Sequence, residues 1–132
     1  MKSERGMITV MSIGFFLVLA LLSVVVINAS HAFLERRELD NLADGAALAA
    51  ADGLDEQRFY TSGDVRADPG QARRIVADHV AGTGVRVVQV DLTSDRVRVR
   101  LERPVDLALA PPGLPSSTTI TAEATSQLRV GR

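Results

Sequence analysis

The most pronounced pattern in the chain is an apolar run near its N-terminus. Between Arg5 and Glu35 the only ionisable side chain is that of His31, which is largely neutral at pH 7. Within residues 8–27 only four positions are polar or glycine: Thr9, Ser12, Gly14 and Ser23. Twenty helical residues extend about 30 Å, the hydrocarbon thickness of a bilayer. The run therefore predicts one transmembrane helix over 7–34, preceded by a short tail at 1–6.

The helical pattern continues beyond the apolar run and becomes amphipathic. Apolar side chains recur at three- and four-residue spacing, with polar ones between them. These apolar residues are Leu39, Leu42, Ala43, Ala46, Ala47 and Ala50. Alanine favours helices and lets two helices approach closely. We therefore expect a helical extension over 35–52, with this alanine-rich face as a helix-packing face, ending at Asp52-Gly53.

The remaining residues, 53–132, predict a small α+β domain. Residues 53–68 show no period and are expected to form a loop. Asp68 followed by Pro69 is a good start for a short helix, in which His79 is expected to be partly buried. Gly82-Thr83-Gly84 is expected to end that helix.

Alternating apolar and polar residues then predict a three- or four-stranded antiparallel sheet. The segment 85–92 is expected to point Val88, Val90 and Leu92 to one face. A second strand, 96–103, alternates valine and leucine with arginine, and a third segment at 105–108 extends it or adds a strand. The segment 118–130 is expected to be the last strand.

Arginines form a stripe along one face of the second predicted strand: Arg96, Arg98 and Arg100. We expect either a solvated sheet face or a polar interaction face for an anionic envelope component. Binding to such a component would be sensitive to salt.

The sequence offers few groups for chemistry. Cysteine is absent, and His31 and His79 are the only histidines, so we expect no metal site. A G-x-S-x-G elbow and a phosphate-binding loop are also absent. We expect a protein that is not an enzyme and uses no cofactor. A net charge of −1 and a distal half without aromatic residues also argue against a nucleic-acid partner.

Charge does not decide which way the apolar helix is oriented. Lys2 and Arg5 flank one end, and Arg36 and Arg37 flank the other. The triplet ending at Ala32 also resembles a signal peptidase site, whose use would release a secreted protein. The apolar run is longer than the core of most signal peptides, which favours retention as an anchor.

The segment 4–53 resembles the N-terminal module of the TadE/TadG-like proteins of bacterial Tad (Flp) pilus assembly. The resemblance rests on Arg5-Gly6 before the apolar run, on RREL at 36–39 and on DNLADGAALAAA at 40–51. It implies a pilin-like, single-pass protein of the cell membrane with a cytoplasmic N-terminus and an extracytoplasmic C-terminal domain. Its partners would be the bilayer, other membrane proteins of the pilus or secretion apparatus, and other copies of itself, with a role in adhesion or secretion.

The resemblance also suggests a candidate prepilin peptidase site between Gly6 and Met7. In processed pilins a glutamate stands five residues after the glycine, whereas this chain has Met11 there. The departure favours an unprocessed, membrane-retained accessory subunit over a subunit of the pilus shaft.

Overall fold

A computed structural model describes residues 2–60, 68–110 and 112–129 of the chain. The first helix, α1, spans Lys2–Tyr60 without a break and is followed by α2 at Pro69–Val80. Three strands complete the fold: β1 (Arg86–Leu92), β2 (Arg96–Asp106) and β3 (Ser117–Gln127). The expected α+β class is confirmed.

The strands form one antiparallel sheet in the order β1-β2-β3. In the described part of the chain the sheet has three strands, because β2 continues through Pro104 to Asp106 instead of breaking there. The segment predicted at 105–108 therefore belongs to β2 as far as Asp106. The predicted end of the last strand, at Val130, lies outside the described residues.

The distal half of α1 forms part of the hydrophobic core. The sheet and α2 pack on the side of α1 that carries Leu39, and the sheet contributes the inward residues of β2. The fully buried residues of β2 are Val97, Val99 and Leu101, as the alternation predicted. Many core residues are alanines, so the elements approach closely and the core contains few large side chains.

The prediction that α1 ends at Asp52-Gly53 is wrong. The helix continues for two turns to Tyr60, and Leu54 is buried in the core. Gly53 lies close to α2: a Cβ atom there would lie 2.7 Å from Cδ1 of Ile75, so the end of that side chain would have to shift. Residues 53–60 of the predicted loop are therefore helical, and residues 61–67 of it lie outside the described part of the chain.

Helix α2 begins as the sequence predicts. Asp68 caps it, since its Oδ1 accepts a hydrogen bond of 2.8 Å from the Gly70 N–H. Ala72, Val76 and Val80 are buried, but the expectation that His79 is partly buried is wrong. His79 is exposed and lies across Gly45, where a Cβ atom would be 2.9 Å from the imidazole Nε2.

One strand face also differs from the prediction. A β-bulge between Val87 and Gln89 adds Val88 as an extra residue opposite β2. Val87 therefore packs against the core, while Val88 points outward with 45% of its surface exposed. Val90 and Leu92 keep the predicted inward face because they follow the bulge.

Candidate functional site

The apolar section of α1 is exposed along its length. No residue in its most apolar 18-residue window is buried, and by length and composition the helix can cross a membrane. A core helix of a soluble protein would be mostly covered by its own fold. The apolar N-terminal helix therefore suggests membrane anchoring.

Two hydroxyl groups within this section, those of Thr9 and Ser23, bond to the backbone of the helix itself. Thr9 Oγ1 donates a hydrogen bond of 2.9 Å to the carbonyl oxygen of Arg5, and Ser23 Oγ donates one of 2.8 Å to that of Leu19. Such bonds lower the cost of placing a hydroxyl in lipid, where water is absent. These side chains are therefore compatible with a membrane environment.

The described hydrogen bonds between the distal domain and α1 begin at Asn28, directly after the apolar residues. The Asn28 Nδ2 group donates to the carbonyl oxygen of Leu109 at 2.7 Å, and its Oδ1 accepts from the Leu109 N–H at 2.9 Å. The asparagine thus pairs with the backbone of the β2–β3 loop as a neighbouring strand would. This contact lies inside the predicted transmembrane segment 7–34.

A second contact joins β2 to α1 through Arg103. Its Nη1 lies 3.0 Å from Glu35 Oε2, and its Nη2 lies 3.2 Å from Glu38 Oε1. The arginine side chain is only 12% exposed. Burial alone lowers the pKa of this guanidinium, but the hydrogen bonds to Glu38 and Glu35 outweigh burial and raise its pKa. The arginine thus remains charged within a partly buried ionic cluster.

A third contact lies at the far end of the domain. Asp55 Oδ2 accepts a hydrogen bond of 2.8 Å from the backbone N–H of Arg129, just after β3. The contacts at Asn28, Glu35 and Asp55 follow one another along about 40 Å of helix, at 1.5 Å per residue. The helix outside the apolar section is therefore fastened to the domain along its length and is not a free stalk.

The predicted helix-packing face is covered by the same chain. Ala43, Ala46, Ala47 and Ala50 are buried with Leu39, and Leu42 is partly buried against them. The covering elements are α2 and the sheet. Packing of this face against neighbouring copies stays a prediction, and within this chain the face is already covered.

The arginine stripe lies on the exposed side of the sheet, together with carboxylates. Glu123 on β3 contacts both Arg98, at 3.3 Å, and Arg100, at 2.9 Å. Arg96 pairs with Asp95 at 3.0 Å, and the hydrogen bond from Arg96 lowers the pKa of Asp95. The stripe therefore carries much less net positive charge than β2 alone suggests.

The candidate peptidase site is part of the helix. Gly6 and Met7 lie in the first turns of α1, and Met7 is 71% exposed. Nothing in the described residues covers Met11, which is 77% exposed. These residues lie beside no other described element.

The sequence reasoning missed Asn28 and Arg103. Asn28 was an ordinary polar residue at the end of the apolar run, and Arg103 ended a strand that already carried several arginines. Their partners lie 81 and 68 residues away. One local signal was available for Arg103, because it occupies a position of the alternation at which an apolar, inward-facing residue is expected after Val97, Val99 and Leu101.

Comparison with known proteins finds a family similarity in the N-terminal part of the chain. Residues 6–53 match the model of a family described as putative Flp pilus-assembly TadE/G-like. No curated protein and no solved structure matches the chain. The matched segment contains the exposed apolar section and most of the helix that enters the core. Residues 6–53 are therefore similar to the N-terminal module of TadE/G-like proteins, which suggests a link to pilus assembly.

Proposed function

We propose that this protein is a non-catalytic, pilin-like accessory component of a Tad (Flp) type pilus or a related secretion apparatus. One helix crosses the cell membrane once, with the N-terminus in the cytoplasm and the α+β domain outside. The observation that carries the proposal is the continuity of α1, whose exposed apolar section leads directly into the domain core. The family match of the same helix supports the link to pilus assembly.

The contacts along α1 are those expected of an anchor helix that holds the distal domain in a fixed position. Because Asn28, Glu35 and Asp55 all bind the distal domain, a movement of the anchor moves that domain with it. Other membrane components, or other copies, would contact the apolar section, since α2 and the sheet cover the alanine-rich face. Partner binding in the membrane would thus set the position of the extracytoplasmic domain.

Retention of the anchor fits the structure better than release. Cleavage after Ala32 would separate Asn28 from the domain and leave the N–H and carbonyl groups of Leu109 without this partner. Met11, at the position where processed pilins have glutamate, also supports a chain that is not cut after Gly6. We therefore place the protein among the membrane-retained subunits that assist assembly.

The rival function is recognition of an anionic envelope component by the arginine stripe. Its arginines already pair with Glu123 and Asp95, so an anionic ligand would have to compete with these carboxylates. This arrangement favours a solvated sheet face. The double substitution of Arg98 and Arg100 by glutamine separates the two proposals, because it would abolish the rival function and leave assembly unchanged.

Deletion of the gene in its native bacterium is expected to abolish or sharply reduce surface filaments, counted by electron microscopy. The wild-type chain should restore them, whereas the Val18→Asp variant should not. A carboxylate at the centre of a membrane helix costs about 2.5–3.5 kcal/mol on insertion scales. Val18 is 55% exposed in α1 and points to lipid in this proposal.

The matched control is Val88→Asp, which makes the same change at a similarly exposed valine on the sheet surface. This variant should restore filaments. Normal filaments in the deletion strain would overturn the proposal. So would full restoration by Val18→Asp, because filament assembly would then be independent of the anchor.

A further inference from the structure

The β2–β3 loop is an uncharged, apolar segment at one end of the domain. Residues 107–122 contain no charged side chain. The Leu107 N–H donates to the carbonyl oxygen of Ser116 at 2.8 Å and closes the base of the loop. Beyond that bond, Leu109 is 43% exposed and Leu114 is 63% exposed. The described part of the loop, 107–110 and 112–116, thus presents two leucines that the protein covers only in part.

The position of this loop along α1 is given by its contact with Asn28. Asn28 follows the apolar residues 8–27, whose length matches the hydrocarbon layer. Asn28 donates one hydrogen bond to the backbone of Leu109 and accepts another from it, so the loop lies level with the end of the apolar section. The loop therefore lies at the height where headgroups meet hydrocarbon in an anchored chain.

One side chain of the apolar section is also partly covered, one helical turn before Asn28. Between residues 4 and 27 all described side chains are exposed except Val24, which is partly covered. Val24 lies four residues before Asn28 and hence on the same face of α1. The partly covered Val24 is thus on the same side of α1 as the contact between Asn28 and Leu109.

Charged groups near the loop lie outside residues 107–116: Asp106 is exposed at its base, and the ion pair of Arg103 lies further from the predicted membrane. Arg103 pairs with Glu35, which lies about 10 Å along the helix from Asn28 at 1.5 Å per residue. The loop can therefore meet lipid without dehydrating a charged side chain, which would be costly.

We propose that the β2–β3 loop inserts Leu109 and Leu114 into the membrane interface and forms a second lipid contact beside α1. This inference rests on the membrane-spanning helix of the proposed function. The loop would hold the domain at a fixed height and tilt, since a helix alone permits rotation about its axis. The partner is the lipid bilayer itself, and an apolar loop without charge binds it by burial of apolar surface.

Site-specific fluorescence tests the inference in the full chain, which contains no cysteine. Single-cysteine variants Leu114→Cys, Leu17→Cys and Ser94→Cys carry an environment-sensitive nitrobenzoxadiazole label. They are reconstituted into vesicles of phosphatidylcholine and phosphatidylglycerol, with and without lipids that bear a nitroxide high on the acyl chain. Ser94 is the matched control, because it is an exposed turn residue of the same sheet at the far end, near the Leu128–Asp95 contact.

The label at Leu114 should show blue-shifted emission and lose most of its fluorescence with nitroxide lipids, as the label at Leu17 should. The label at Ser94 should stay unquenched. Quenching at Leu17 with none at Leu114 would overturn the loop contact alone and is the result expected if a protein partner covers the loop. An unquenched label at both positions would overturn the loop contact together with the membrane anchor.

Discussion

Replacement of Leu39 by alanine is expected to lower the free energy of unfolding of the distal domain by about 2–5 kcal/mol. Leu39 is fully buried where α1 meets the sheet and α2. Its loss removes apolar contact and leaves a cavity, which the surrounding short side chains cannot fill by rotating. Pulse proteolysis in a urea series, on the full chain in detergent, measures the change.

The control for this substitution is Leu48→Ala on the same helix. Leu48 is 55% exposed, so the same change there removes little buried surface. The expected effect is within about 0.5 kcal/mol, because surface substitutions away from special features are usually that small. Equal effects at Leu39 and Leu48 would mean that the distal half of α1 does not belong to the domain core.

Replacement of Arg103 by methionine is expected to destabilise the domain by about 1–3 kcal/mol. Methionine keeps much of the apolar volume but leaves Glu35 and Glu38 facing each other without a cation. The cost falls below that of a fully buried pair because Glu35 is 27% and Glu38 67% exposed to water. The same proteolysis series measures it.

A double-mutant cycle with Glu35→Gln isolates the interaction itself. Its coupling energy should account for a large part of the Arg103→Met effect. The matched control is Arg100→Met, whose arginine is 45% exposed and pairs with Glu123, and which should cost less than about 1 kcal/mol. If Arg103→Met cost no more than this control, Arg103 would not fasten the sheet to the helix.

Local patterns predict most of the fold. The apolar run and the alanine-rich repeat predict α1, Asp68-Pro69 predicts the start of α2, and the alternation of 96–101 predicts β2. Each of these signals lies in neighbouring residues, because helix and strand periodicity is a property of one segment.

The errors have a common physical origin in packing between distant segments. Gly53 looks like a helix end in isolation, but it makes room for Ile75 of α2. The bulge at Val88 depends on the register of β1 against β2. A single segment contains neither piece of information.

The contacts between α1 and the distal domain could not be predicted from the sequence for the same reason. Asn28 and Leu109 are brought together only after the sheet has packed on α1, and so are Arg103 and Glu35. The arginine stripe was visible in the sequence, but its neutralising partner Glu123 lies on another strand. The sequence thus predicts the long apolar helix and the type of domain, while the contacts that join them require the fold.

The most direct test of the anchored, extracytoplasmic domain uses the Ser94→Cys variant expressed in native cells. Spheroplasts are treated with a membrane-impermeant maleimide before or after lysis, and the membrane and soluble fractions are then analysed by intact mass. The account predicts membrane-bound protein that keeps its apolar helix and is labelled equally before and after lysis. Labelling only after lysis, or a soluble protein that begins at Phe33, would contradict it.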